Sequence, residues 1–149
     1  MSPLPILSAT ATVFVRATES EEKVLRALRT VVPEGIGLLE RTEAKGVLGN
    51  KIVILRVLVR KKSEARKLWR HIWERLEEKE RAYLKEHAVD HVDEFGRFHL
   101  RFDKQEAFAG KLVLSTGGGV IKVVFQLEAY PATPDGFKRA VRELVEGAD

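Results

Sequence analysis

The sequence has no cysteine, which excludes a disulfide scaffold, a thiolate metal site and a cysteine nucleophile, and fits a reducing compartment. It has no apolar run near the roughly 18 residues a membrane span requires. Its first residues, Met1-Ser2-Pro3-Leu4-Pro5-Ile6, place no charged segment before an apolar stretch, so neither secretion nor membrane insertion is expected, and the expected location is cytoplasmic. Thermolabile residues are scarce too, with one Asn, two Gln and one Met beside abundant Lys, Arg and Glu, a usage that resembles a thermophile's. What is present is globular. Hydrophobic content of 44% with 32% charged residues supports a core, and 149 residues suit one domain.

The net charge of +4 is modest, but it is unevenly spread. Residues 51 to 75 carry nine basic and two acidic groups, whereas residues 76 to 96 carry three and seven. The cationic excess therefore sits in one sixth of the chain, beside an acidic stretch. A polyanion responds to that distribution more than to the sum.

Residues 7 to 17 alternate, with Leu7, Ala9, Ala11, Val13 and Val15 on one side, which predicts a half-buried strand. Thr18 and Glu21 have capping-box spacing, and Val24, Leu25, Leu28, Val31 and Val32 repeat at helical intervals up to Pro33, predicting a helix over 20 to 32. Residues 36 to 43 suit a short strand, and 45 to 50 a loop. Over 51 to 61, Val53, Leu55, Val57 and Val59 define a core face, while Arg56 and Arg60 interrupt a second face shared with Ile52, Ile54 and Leu58. Ser63 is placed to cap a long helix with Ala65, Leu68, Trp69, Ile72, Trp73 and Leu76 inward, extended by Tyr83 and Leu84. After a turn at 93 to 96, residues 97 to 103 alternate with Phe98, Leu100 and Phe102 inward and Arg97, His99 and Arg101 outward. Residues 111 to 115 and 120 to 130 suit two strands of a hairpin joined by Thr116-Gly117-Gly118-Gly119, and Thr133-Pro134 opens a final helix. The expected fold is α+β: a single domain with a largely antiparallel sheet and helices packed on one face.

Several pieces resemble a known group: Glu19-Ser20-Glu21-Glu22-Lys23-Val24, Gly49-Asn50, Ala129-Tyr130-Pro131 and, most specifically, Leu100-Arg101-Phe102-Asp103-Lys104-Gln105 with Ala107 and Gly110. Together they resemble archaeal RNA-binding proteins described as predicted exosome subunits, and the likeness covers nearly the full chain. It implies an α+β fold like that of the ribosomal protein that holds 5S RNA, RNA as the partner, and a place beside the exosome or ribosome-related proteins.

The chemistry of the residues points the same way. Lys and Arg that neutralise phosphates release counterions and supply most non-specific nucleic-acid affinity. Arg66 and Arg70 lie one helical turn apart with Lys67 beside them and Lys61-Lys62 just before, so five cations are expected on one rim, with Arg56 and Arg60 extending the patch across the sheet. The bland alternative is a solvated helix face paired with Glu64 and Glu74. Asn50 and Lys51 at the start of the strand, and Arg101, Lys104 and Gln105 in the most specific motif, complete the candidate RNA contacts. Asp103 has a competing structural reading, in which it fixes the next turn with Lys104 as its ion partner.

No catalytic constellation is legible, and no cofactor is expected. The glycine run lacks the Lys-Ser/Thr of a phosphate loop and leads into a strand. His87, Asp90, His91 and Asp93 lack a third fixed ligand for a metal. Trp69 and Trp73 sit within an apolar stripe and are expected in the core rather than as stacking platforms. The expectation is a non-catalytic RNA-binding factor recognising backbone and shape. Its rival is an assembly module that contacts acidic protein surfaces without touching RNA.

Overall fold

The computed structural model describes residues 4–147. Five strands form one antiparallel sheet in the order β2-β3-β1-β5-β4. The central strand β1 (Ile6–Val15) pairs on one side with β3 (Lys51–Val59) and on the other with β5 (Val120–Leu127). β2 (Leu38–Lys45) continues from β3 as a hairpin, and β4 (Arg97–Asp103) pairs with β5. Successive side chains on a strand point to opposite sides, so the alternation decides which side is buried. Ala9, Ala11, Val13 and Val15, Val53 to Val59 at every second position, Ile121, Val123 and Phe125, and Phe98, Leu100 and Phe102 are all buried on the same side.

That side carries the helices. α1 (Glu21–Val31) presents Val24, Ala27, Leu28 and Val31; α2 (Lys62–Arg75) presents Ala65, Leu68, Trp69, Ile72 and Trp73; α5 (Pro134–Glu146) presents Phe137, Ala140, Val141 and Leu144. Trp69 is the keystone of this layer, with ring centroids 5.4 Å from Trp73, 5.9 Å from Phe98 and 5.7 Å from Phe125. Both tryptophans are therefore core, as their spacing predicts. The α+β reading with helices on one face holds.

Several local expectations give way. Ser20, not Thr18, caps α1: its hydroxyl accepts the Lys23 N–H at 3.3 Å. Ser63 does not cap α2, which begins one residue before it, at Lys62. The long helix is two helices, because Leu76 leaves helical geometry (φ −69°, ψ 139°) to form a parallel bridge with Leu112, and α3 (Glu78–His87) starts anew. The Arg81 guanidinium donates to the Trp73 and Glu74 carbonyls at 2.8 and 3.0 Å, satisfying groups that the break leaves open.

The hairpin expected from 111–115 and β5 does not form either. Leu114 opposes Phe102 on the outer side of β4, while β5 lies antiparallel on β4's inner side, so β4 stands between the two segments. The connection before it is a short helix, α4 (Lys104–Phe108), capped by Asp103, whose carboxylate accepts the Glu106 N–H at 2.9 Å.

Candidate nucleic-acid interface

The sheet has a second side, which among the described residues no helix packs across; α3 borders it at β4, where Lys79, Glu80 and Tyr83 share a hollow with His99 and Arg101. In antiparallel pairs, directly opposed residues share a side. The register therefore aligns Glu40, Arg56, Thr12, Lys122 and Arg101 in one row running across all five strands. With strands about 4.8 Å apart, Arg56 and Arg101 stand roughly 14 Å from each other, with Lys122 between them. The row two residues away along the strands holds Leu58, Thr10, Val124 and His99. Beyond it come Ser8, Gln126 and Arg97, with Arg60 just past the end of β3. On the other flank lie Ile54 opposite Phe14, and then Arg16 immediately after β1.

Arg56, Arg97, Arg101 and Lys122 are exposed, and among the described residues none of them pairs with a carboxylate. The carboxylates in these rows are Glu40, on the outermost strand, and Asp103, which is turned to cap α4. The His99 ring Nε2–H donates to the Asp93 carboxylate at 3.1 Å. Burial would raise the Asp93 carboxyl, but the Arg97 backbone N–H, the His99 ring and the Phe95 N–H hold it below the usual carboxylate range. Phe95 itself is exposed beside this face, with the Arg97 guanidinium 5.9 Å from its ring centre.

The expected patch, a rim of five cations from Lys61 to Arg70 extended across the sheet by Arg56 and Arg60, is divided by the sheet. Arg56 and Arg60 lie on the open side; Arg66, Lys67 and Arg70 belong to α2, on the other. Within α2, Arg66 donates to the Leu4 carbonyl at 3.0 Å and Lys62 pairs with Glu128 at 3.4 Å, while Lys67 and Arg70 are exposed. Lys61 is exposed at the junction between β3 and α2. Lys51 shares the helix side of the β2–β3 hairpin with Lys45 and pairs with Glu43 at 3.1 Å; Asn50 is at the hairpin tip, where its carbonyl accepts the Gly46 N–H.

Arg101, Lys104 and Gln105 also separate. Arg101 lies in the open row, and Gln105 is exposed on α4, where it borders a hollow against α1 with Ser20 and Lys23. Lys104 is 8% exposed, too enclosed for a phosphate contact. Its ammonium donates to the Phe14 carbonyl at 2.8 Å and to both Glu19 carboxylate oxygens at 3.2 Å, so its ion partner is Glu19 and not Asp103. Burial raises the Glu19 carboxyl, but the Arg16 N–H and the Lys104 ammonium outweigh it and hold it below the ordinary value.

Lys122 and Arg16 were not singled out by the sequence. Lys122 occupies the polar phase of a strand whose Ile121, Val123 and Phe125 point inward, and only the pairing register shows that it falls between Arg56 and Arg101. The histidines form no candidate reaction centre. His87 faces Asp90 at 3.4 Å, and His91 meets the Tyr83 hydroxyl at 2.9 Å, with burial pushing His91 below the usual imidazole range. Among the described residues no three metal-ligating groups converge, and no helix is long and apolar enough to cross a membrane.

A family model described as RNA binding matches residues 8–127, which include every strand except the first two residues of β1 and all the open-face cations. The chain belongs to this RNA-binding family. A relative from Pyrococcus abyssi, named as an RNA-binding protein, is 39% identical over 140 residues, covering 91% of each chain. The family fold is seen in a crystal structure from Archaeoglobus fulgidus, 33% identical with a TM-score of 0.83 over 93% of this chain and 99% of that one. A DUF54 protein from Methanothermobacter thermautotrophicus is 31% identical with a TM-score of 0.75, over 94% and 98%.

Proposed function

We propose that this chain is a non-catalytic RNA-binding protein that lays RNA across the uncovered side of its sheet, as an accessory factor of the exosome or another RNA-processing assembly. The observation that carries this reading is the row of Arg56, Lys122 and Arg101, three exposed cations on neighbouring positions with only one threonine between them. Such a row suits phosphates, because guanidinium and ammonium groups free of carboxylates need not break an ion pair to bind them. The family's description and the name of the Pyrococcus relative supply the nucleic acid as RNA.

Backbone contacts position RNA without reading its sequence, so affinity is expected to depend steeply on salt and weakly on sequence. Replacing Arg56, Lys122 and Arg101 by Gln should flatten the slope of log affinity against log salt by about 2 to 3, alike for unrelated RNAs. Replacing Lys67 and Arg70 by Gln on α2 is the matched comparison. A slope unchanged by the first set and flattened by the second would move the interface to the helix layer. RNA affinity indifferent to both sets, with protein partners retained after ribonuclease treatment, would favour the assembly-module reading.

A further inference from the structure

We infer that the uncovered sheet side selects single-stranded RNA, by seating one unstacked base against Phe14; this rests on the RNA reading above and specifies its substrate class. On the open side of β1 the residues are Thr10, Thr12 and Phe14, so a single aromatic ring ends a row of small polar side chains. Phe14 is 45% exposed although it lies on the central strand, and among the described residues its ring stacks on no other ring and under no cation. It borders a hollow of about 350 Å³ whose walls include Ile52, Ile54 and Val120, with Arg16 and Lys122 at its margin.

This combination matches the chemistry of an exposed nucleotide. Every base offers an apolar π-face that stacks on an aromatic ring, while its phosphate needs a cation close by. Bases inside an A-form duplex are already stacked on one another and cannot reach a ring on the floor of a sheet. Phe14 is also held in place through its backbone. Lys104 donates to its carbonyl at 2.8 Å while bonded to Glu19, which fixes the end of β1 where the ring is presented. Lys104 also lines the hollow, but its ammonium is committed to the Phe14 carbonyl and Glu19, so it acts here as a positioning residue.

The test compares a fluorescently labelled single-stranded oligoribonucleotide with a duplex of equal length, by anisotropy across a matched series of salt concentrations. Phe14→Ala should weaken single-strand binding by about 5- to 100-fold, leave the salt slope unchanged and leave any duplex binding untouched. Phe14→Trp should retain single-strand affinity, and unchanged thermal melting of both variants excludes a folding effect. An oligonucleotide carrying 2-aminopurine should change its fluorescence on binding the parent protein and not on binding Phe14→Ala. Equal losses for single strand and duplex, or no loss for either, would overturn the base seat. If the Arg56, Lys122 and Arg101 replacements weaken binding while Phe14→Ala does not, the base seat alone fails; if neither set matters, the sheet surface fails with it.

Discussion

The Lys104 ammonium is enclosed between β1, α1 and α4, with three oxygens from Phe14 and Glu19 around it. Hydrogen bonds to a charged group in such a setting contribute about 1.5–3 kcal/mol, so Glu19→Gln, which leaves the ammonium facing a weaker acceptor, should lower stability by about 2 kcal/mol in urea unfolding at pH 7. Because the folded Glu19 carboxyl lies below its unfolded value, the stabilisation is present above about pH 4.5 and fades as pH falls through the folded value. The Glu19→Gln penalty should accordingly shrink as pH is lowered below about 4.5. A penalty that stays constant over that range would show that the ion pair is not its source. Sequence pointed to Lys104 as a functional position, but spacing cannot say whether a lysine at a helix start turns outward or back under the neighbouring strand. Arg101, three residues earlier on a strand with clear alternation, was legible because Phe98, Leu100 and Phe102 fixed its side.

At the scale of elements, periodicity served well where one apolar face decided the outcome. β1, β3, β4 and the faces of α1, α2 and α5 all follow the alternation or helical repeat read from the residues. It failed where a distant contact competed with local pattern. No Gly or Pro marks the end of α2; Leu76 leaves the helix to meet Leu112, thirty-six positions away. Residues 111–115 have the look of a hairpin arm, yet the short helix α4 returns them to the outer side of β4. Asp103 matters to that return. Asp103→Ala removes the α4 cap and should cost about 1 kcal/mol in denaturant unfolding with RNA affinity within twofold of the parent. Loss of affinity without loss of stability would instead make Asp103 part of the RNA site. Gly96, at the turn into β4, has φ +81°, and a Cβ there would overlap the Phe137 ring of α5. Left-handed strain of about 1–3 kcal/mol then adds to a packing cost of similar size, so Gly96→Ala should visibly lower the melting temperature.

Across the whole molecule, the uneven charge seen in the sequence is real but is sorted by the sheet in a way no one-dimensional count can show. Arg56 and Arg70 are neighbours in composition and occupants of opposite layers. Lys122, from a charge-balanced part of the chain, joins Arg56 across Thr12. Acid should destabilise the fold through His91, which burial holds below the usual imidazole range beside Tyr83. The unfolded chain takes up that proton near pH 6.5 and the folded chain only at lower pH, so stability should decline as pH falls below about 6.5. Guanidinium unfolding at pH 7 and pH 5.5 should show that decline in the parent protein and less of it in His91→Gln.

The apolar mass of this molecule is gathered behind the sheet, where Trp69 anchors it. The front panel is thereby relieved of architectural duty. Substitutions there can accumulate one strand position at a time without unsettling the scaffold, so this panel can be rebuilt while the shape behind it is kept.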